Sequence, residues 1–347
     1  MSFLKNAWYC AAWGSEISRE PLSRTLLNQK LVFFRKEDGG IVALSGVCPH
    51  RFAPMHQGTL HGDVLACPYH GLQFGPEGSC VHNPHGEVIP PALKLSSFPV
   101  VERHAIAWIW MGDPAQADPA KIPDFSAHDD PDYAMVGGRI PIRGAYQLVS
   151  DNLLDLSHTQ YLHPVLTVPD DPDTSYEYDI LQDGDTITTV FNTRNLKPIS
   201  FVTFIWPDAP QRLDSFSGVR WQAPANMLLK IHFVSLDPTA PAERRIWGAE
   251  LITPETDTSC HYFWATARDF RQNDEAFGKM LGEITEKVFT DEDGAMIAEV
   301  QDNMGDAYDL IALHPVVLPT DQAAIRARMI LKKLIKQEER DASAEPA

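Results

Sequence analysis

The chain has 347 residues, enough for about two domains with cores of their own. At 44% hydrophobic and 22% charged residues, it has the balance of an ordinary globular protein. A formal net charge of −18 argues against nucleic acid and anionic membrane surfaces as partners, and no stretch reaches the ~18 apolar residues of a spanning helix.

Residues 1–14 hold no apolar run of the kind that makes a signal peptide, so a cytoplasmic protein is expected. In a reducing compartment five scattered cysteines, an odd number, favour metal ligation or free thiols over a disulfide framework. Lys30 to Arg35 and Ile41 to Ser45 are apolar runs joined by Asp38-Gly39-Gly40, which predicts a hairpin. Residues 46–91 are rich in Pro, Gly and His and show little periodicity. Such a segment is expected to lack an apolar core and to need a cross-link, with metal the obvious candidate.

Within it, Cys48-Pro49-His50 and Cys67-Pro68-Tyr69-His70 form a C-x-H and C-x-x-H pair separated by 16 residues. Rieske centres hold one iron of a [2Fe–2S] cluster with two cysteines and the other with two histidines. Each motif supplies one of each, so both irons would be gripped by both loops. Two Cys and two His are also a zinc set, but zinc fingers usually pair Cys with Cys and His with His along the chain. The interleaved order and the proline in each loop favour the Rieske centre. Cys80, His56, His61, His82 and His85 are read as ordinary loop residues, because the four-ligand set is complete without them.

Ala105 to Met111 is a further strand, and residues 113–124, with Asp-Pro and Pro-Asp steps, read as a linker. The segment from Asp151 to Pro164 is apolar on most sides and predicts a buried helix. Burying Asp155, His158 and His163 in such a helix is unfavourable unless they are paired or bind metal. His158 and His163 are five apart, roughly 140° around a regular helix, so they converge only if the helix widens or ends between them. Pro164 is consistent with an ending there. Two histidines and one carboxylate make the facial triad of non-haem Fe(II) oxygenases, which leaves positions open for oxygen. Asp291, Glu292 and Asp293, expected at the start of a helix, are the candidate acids, and spacing does not choose among them. Acids in a first turn also offset the helix dipole.

Thr186 to Thr193, Met227 to Ser235, Arg245 to Thr253 and Cys260 to Arg268 follow one another as strands with short connections, which predicts an antiparallel sheet. Lys230, His232 and Glu250 lie on these strands and are candidate substrate contacts, against the plainer reading of a solvated face for Lys230 and Glu250. Helices are predicted over 273–289, 291–303 and 321–339, with a disordered tail from 340 or 341 to the end.

These motifs resemble the oxygenase components of Rieske non-haem iron monooxygenases of the vanillate and dicamba O-demethylase group. Leu4-Lys-Asn-Ala-Trp-Tyr9 and the run Ile252 to Trp264 look like the same group, so the resemblance spans nearly the whole chain. It implies an α+β protein: an all-β Rieske domain over 1–115, then a helix-grip catalytic domain with an antiparallel sheet and helices over 116–340. It also implies Cys48, His50, Cys67 and His70 on the [2Fe–2S] cluster, and His158, His163 and Asp293 on a mononuclear Fe(II). Asn152 matches a polar residue near that iron, and Asp155 an acid bridging His158 to His70 of a neighbouring subunit in a head-to-tail homotrimer. A separate NADH-dependent flavin and [2Fe–2S] reductase would supply electrons. With O2, the enzyme would hydroxylate a methoxyl group of an aromatic acid, whose hemiacetal collapses to a phenol and formaldehyde. Methyl or ring hydroxylation of another aromatic compound is the alternative. Dicamba-type members place a histidine at the position of Glu250 to hold a substrate carboxylate, so an ionised glutamate implies different recognition.

Overall fold

Short strands closed by turns make up the first part of the chain in a computed structural model that describes residues 3–239 and 241–344. They are β1 (Trp8–Trp13), β2 (Leu22–Leu26), β3 (Gln29–Arg35), β4 (Ile41–Ser45), β5 (Thr59–His61), β6 (Val64–Ala66), β7 (Gln73–Phe74), β8 (Cys80–His82), β9 (Ser97–Phe98), β10 (Val100–Arg103) and β11 (Ile106–Trp110). They form three antiparallel sheets, in the orders β1-β11-β10, β2-β3-β4-β9 and β5-β6-β7-β8. The expected hairpin is β3–β4, and Gly39 takes φ 90° in its turn, a conformation open to glycine.

The Pro/Gly-rich region departs from expectation. Met55, Leu65, Leu72 and Phe74 are buried there and pack, with Cys48 and Cys67, against Val32, Phe34, Val42 and Leu44 of the hairpin. The segment therefore shares an apolar core that its weak periodicity concealed, because each strand is only two or three residues long.

The first compact unit runs to Ile122 and includes Thr253–Asp257; the second comprises Pro123–Ile252 and Thr258–Ser343. The boundary thus lies beyond residue 115, where the sequence suggests it. Asp113 and Asp118 each cap a one-turn 3-10 helix, at 3.0 and 2.9 Å. Trp8 Nε1 donates to the Asp118 carbonyl at 2.9 Å, and Ile122 is buried, so the expected linker is fixed to the first unit.

The second unit is built on a seven-stranded antiparallel sheet. Its strands are β12 (Ala134–Ile142), β13 (Ser175–Asp183), β14 (Thr186–Leu196), β15 (Leu213–Gln222), β16 (Asn226–Ser235), β17 (Glu243–Pro254) and β18 (Cys260–Arg268). From β13 to β18 each strand pairs with its successor, and β12 closes the far edge beside β18. The helices are α1 (Tyr146–Leu154), α2 (Thr159–Leu162), α3 (Ser200–Ile205), α4 (Glu275–Lys287), α5 (Ala295–Met304) and α6 (Gln322–Ala344).

Directly paired residues share a face of an antiparallel sheet. Met227 and Ile231 of β16 lie opposite Glu250 and Ile246 of β17, which defines one face. Ile246 and Phe233 are buried there with Val202, Ile205 and Trp206 around α3, and with Phe277 and Leu281 of α4. α6 buries Ala323, Ala327, Ile330 and Leu331 at helical spacing. It continues to Ala344, so residues 341–344 are helical where a disordered tail is expected, and 345–347 lie outside the described residues. Among the described residues, no helix is long and apolar enough to cross a membrane.

Candidate metal centres

The two Cys/His motifs fold into loops of the same make. Cys48 N–H donates to the Ala53 carbonyl at 2.9 Å, and Phe52 N–H returns to the Cys48 carbonyl at 2.9 Å. Cys67 N–H donates to the Leu72 carbonyl at 2.7 Å, and Gly71 N–H returns to the Cys67 carbonyl at 3.1 Å. The residue four after each cysteine is left-handed, Phe52 at φ 59° and Gly71 at φ 69°. Each loop buries its cysteine, while His50 is exposed and its ring centroid lies 4.5 Å from that of His70. Burial pushes the Cys48 thiol up to about 11, against the His50 and Arg51 amides that point at it and with the Cys67 thiol beside it. Thiolates need a positive centre in such a place, and a metal cluster supplies one.

A single zinc fits less well. Its four donor atoms would stand about 3.3–3.8 Å apart around one ion. Among the described residues, the group of three or more metal-binding side chains whose donors all fall within 4.8 Å is a different one: His158, His163 and Asp293.

That second group is assembled from a broken helix and a widened one. The expected helix over 151–164 exists as three pieces. α1 stops at Leu154, and Asp155 is extended at φ −117°, ψ 92°. The Asp155 carboxylate then accepts from Ser157 N–H at 2.9 Å and starts a 3-10 turn, Leu156–His158. α2 follows directly and ends at His163, extended at φ −115°, ψ 94° as the residue before a proline favours. The ending brings the two rings together, with centroids 5.2 Å apart.

The acidic run does not open a helix. It lies in a π-helical turn, Val288–Gly294, continuous with α4 before it and α5 after it. A Cβ on Gly294 would stand 2.8 Å from the Phe289 carbonyl oxygen, so the wide turn closes only with glycine there. This turn separates the three acids. Asp293 Oδ1 lies 3.4 Å from His158 Nε2 and 3.3 Å from His163 Nε2, and accepts from Asn152 Nδ2 at 3.0 Å. Glu292 Oε2 instead accepts from His163 Nδ1 at 2.7 Å. Asp291 is not in the group.

His158 Nδ1 donates to the Asp155 backbone carbonyl at 2.7 Å. The contact expected from the Asp155 carboxylate is therefore made by its main chain. With both Nδ1 atoms donating outward, a neutral imidazole presents a lone pair at each Nε2, facing the Asp293 carboxylate. Without a cation, protons shared from His158 and His163, together with the Asn152 amide, hold Asp293 down to about 2 against the rise that burial alone would give. Two lone pairs and a carboxylate converging on one point suit a cation, and this donor set suits a non-haem iron with open positions.

Two family models match the chain. The Rieske [2Fe-2S] domain covers residues 7–99, and the Vanillate O-demethylase oxygenase C-terminal domain covers 142–337. The chain is 39% identical to the oxygenase component of dicamba O-demethylase from Stenotrophomonas maltophilia, over 96% of this chain and 98% of the other. It belongs to the vanillate O-demethylase family of Rieske oxygenases. It is also 37% identical to the oxygenase component of a chloroacetanilide N-alkylformylase from Rhizorhabdus wittichii, over 97% of each chain. A crystal structure of dicamba monooxygenase bound to 3,6-dichlorosalicylic acid superimposes with a TM-score of 0.90 at 36% identity, covering 98% of this chain and 99% of that one. The expected α+β architecture of a Rieske oxygenase is therefore correct.

In this Rieske oxygenase the candidate substrate residues do not gather. Lys230 pairs across the sheet with Trp247, its ammonium 4.5 Å from the ring centroid, and His232 pairs with Arg245 and contacts Glu243 at 2.7 Å. Both lie on the face opposite Glu250, because residues an even number apart from Met227 alone share its face. Glu250 is buried and accepts from Tyr262 Oη at 2.7 Å. Phe289, from the π turn, packs against Tyr262 with centroids 4.9 Å apart and the rings tilted by 42°. Burial pushes Glu250 up to about 8; Tyr262 opposes that, and the charge of Asp293 adds to it. Burial thus favours the protonated form of Glu250, where the sequence suggests an ionised side chain.

Sequence reasoning also missed Gln301, whose polarity within a helix carries no signal of its partners. It is buried in α5, accepts from Ala145 N–H at 2.9 Å just before α1, and donates to the Gly305 and Ala307 carbonyls at 2.8 and 2.9 Å. Gln301→Leu strands these groups and is expected to lower stability by about 2 kcal/mol, read as a lower denaturation midpoint. A midpoint equal to wild type would show that water replaces the amide.

Proposed function

We propose that the chain is the oxygenase component of a monooxygenase that O-demethylates a methoxylated aromatic acid and releases formaldehyde. The observation that carries this reading is the convergence of His158, His163 and Asp293 within 4.8 Å in a Rieske oxygenase of the O-demethylase family. When bound, the cluster relays electrons and the mononuclear iron turns O2 into an oxidant. The overall change balances as Ar–OCH3 + O2 + NADH + H+ giving Ar–OH + CH2O + H2O + NAD+.

The chain's own residues hold and orient. Cys48, His50, Cys67 and His70 are assigned to the cluster, and His158, His163 and Asp293 to the iron. Asn152 steadies the Asp293 carboxylate through its Nδ2 donor. Burial favours a protonated Glu250 beside Tyr262, and in that form it can donate a hydrogen bond to a substrate carboxylate, which an ionised glutamate could not do. Lys230 and His232, on the other face, are left out of the substrate site.

Electrons come from a separate NADH-dependent flavin and [2Fe–2S] reductase in the cytoplasm. The working unit is a head-to-tail homotrimer, in which Asp155 links His158 to a neighbouring subunit's His70. In support, one Asp155 oxygen caps the 3-10 turn and His158 rests on the backbone carbonyl, which leaves the second carboxylate oxygen for a neighbour.

The test is a panel of methoxylated aromatic acids, vanillate among them, incubated with purified protein, NADH and a surrogate reductase. Formaldehyde should appear in step with NADH oxidation. If no member of the panel releases formaldehyde, the demethylase reading is wrong.

A further inference from the structure

The two histidines of the iron site are held by different kinds of acceptor. His158 Nδ1 meets a neutral backbone carbonyl, that of Asp155, at 2.7 Å. His163 Nδ1 meets a carboxylate, Glu292, also at 2.7 Å. Glu292 immediately precedes Asp293, and the π turn sets the two acids on opposite edges of one imidazole. Asp293 Oδ1 lies 3.3 Å from Nε2, and Glu292 Oε2 sits on Nδ1. The ring between them is almost fully buried, its side chain only 4% exposed, so it has little freedom to turn away.

We infer that Glu292 is a positioning residue for the mononuclear iron, acting through His163. It fixes the ring so that Nε2 points inward, and its negative charge makes that nitrogen a stronger donor. The inference rests on reading His158, His163 and Asp293 as the iron's ligands. Two other roles for Glu292 fit less well. It is not a fourth ligand, because its contacting oxygen lies against Nδ1, the far side of the ring from Asp293. Nor does it offset a helix dipole, since helix continues on both sides of the turn and there is no N-terminus to neutralise.

The asymmetry has a chemical meaning. A carboxylate acceptor polarises the N–H bond more strongly than a carbonyl does, and charge-assisted hydrogen bonds are roughly twice as strong as neutral ones. His163 is therefore the firmer nitrogen ligand of the two, and Glu292 is where that firmness is set. Glutamine at 292 keeps an acceptor of the same length and removes the charge. Alanine removes both.

The test compares wild type, Glu292→Gln and Glu292→Ala as full-length protein with the cluster in place. The first readout is the Fe(II) dissociation constant of the mononuclear site, by competition with a chelator. The second is the EPR signal of the iron after nitric oxide is added, which reports the symmetry of the ligand field and not the amount of folded protein. Expected are about tenfold weaker Fe(II) binding for Glu292→Gln and up to about a hundredfold for Glu292→Ala. The nitric oxide signal should change shape in both, with the visible spectrum of the cluster unaltered. Dissociation constants within twofold of wild type in both variants, with an unchanged signal, overturn the inference. A wild type that takes up no Fe(II) beyond the cluster overturns the ligand reading itself, and the inference with it.

Discussion

Asp293→Ala is expected to yield a folded, coloured protein that has lost its mononuclear iron. The carboxylate is the only anionic member of the triad, and two neutral imidazoles alone neither balance the ion's charge nor fix three corners of its coordination. Iron content should fall from about three per chain to about two, the complement of the cluster alone. An iron that supplies the oxidant lowers the barrier by several kcal/mol, so turnover should fall at least about a thousandfold without it. The cluster's visible absorption should stay, because Cys48, Cys67 and their histidines belong to the other compact unit. Elemental analysis and formaldehyde release check both halves. A variant that keeps three irons and its activity would remove Asp293 from the site.

Arg328 is expected to give the largest loss of stability. It projects from α6 and is buried, with Nε 2.9 and 3.0 Å from the two Asp151 oxygens and Nη2 2.6 Å from one of them. It also donates to Gln147 Oε1 and lies 3.7 Å from Asp309. Burial raises the Asp151 carboxyl, and Arg328 draws it back. Removing one partner of such a pair leaves the other charge uncompensated, which costs about 3–5 kcal/mol. Arg328→Met should therefore lower the melting temperature on the order of 10 °C. Asp151→Leu combined with Arg328→Met should recover most of that, since apolar packing often matches a buried ion pair. A double variant no more stable than Arg328→Met would show that the fork of hydrogen bonds, and not charge balance, holds α6 to α1. Asn152 is the next residue along α1, so the single variant should also loosen the contact with Asp293.

How much of this could be read from residues alone varied with the reach of each interaction. The Cys48 and Cys67 motifs are local: spacing within three residues decides which atoms face one another, and the sequence displays it. That the helix is interrupted around His158 and His163 was half visible, since Pro164 and the roughly 140° separation demanded some ending. The structure ends it at His163 and also breaks it earlier, at Asp155, whose side chain caps the next turn. The choice among Asp291, Glu292 and Asp293 was not visible, because three consecutive acids differ only in which way a π turn points them. Strands β12 and β13 escaped detection for a related reason. β12 contains Gly137, Gly138 and Pro141, which an edge strand tolerates. β13 is exposed along almost its whole length, so no apolar alternation marks it. Lys230, His232 and Glu250 were grouped because they share neighbouring strands, but register decides the face, and register is a property of pairs.

The order of the sheet carries a consequence for biosynthesis. From β13 onward every strand meets its partner as soon as it is made, whereas β12 must wait for β18, the last strand of all. The iron site shares that delay: His158 and His163 leave the ribosome well over a hundred residues before Asp293. The four residues assigned to the cluster, Cys48, His50, Cys67 and His70, are all present by residue 70. A nascent chain can thus offer a full set of sulfur and nitrogen donors early, while it remains unable to complete the His158, His163 and Asp293 group until more than a hundred further residues have been made.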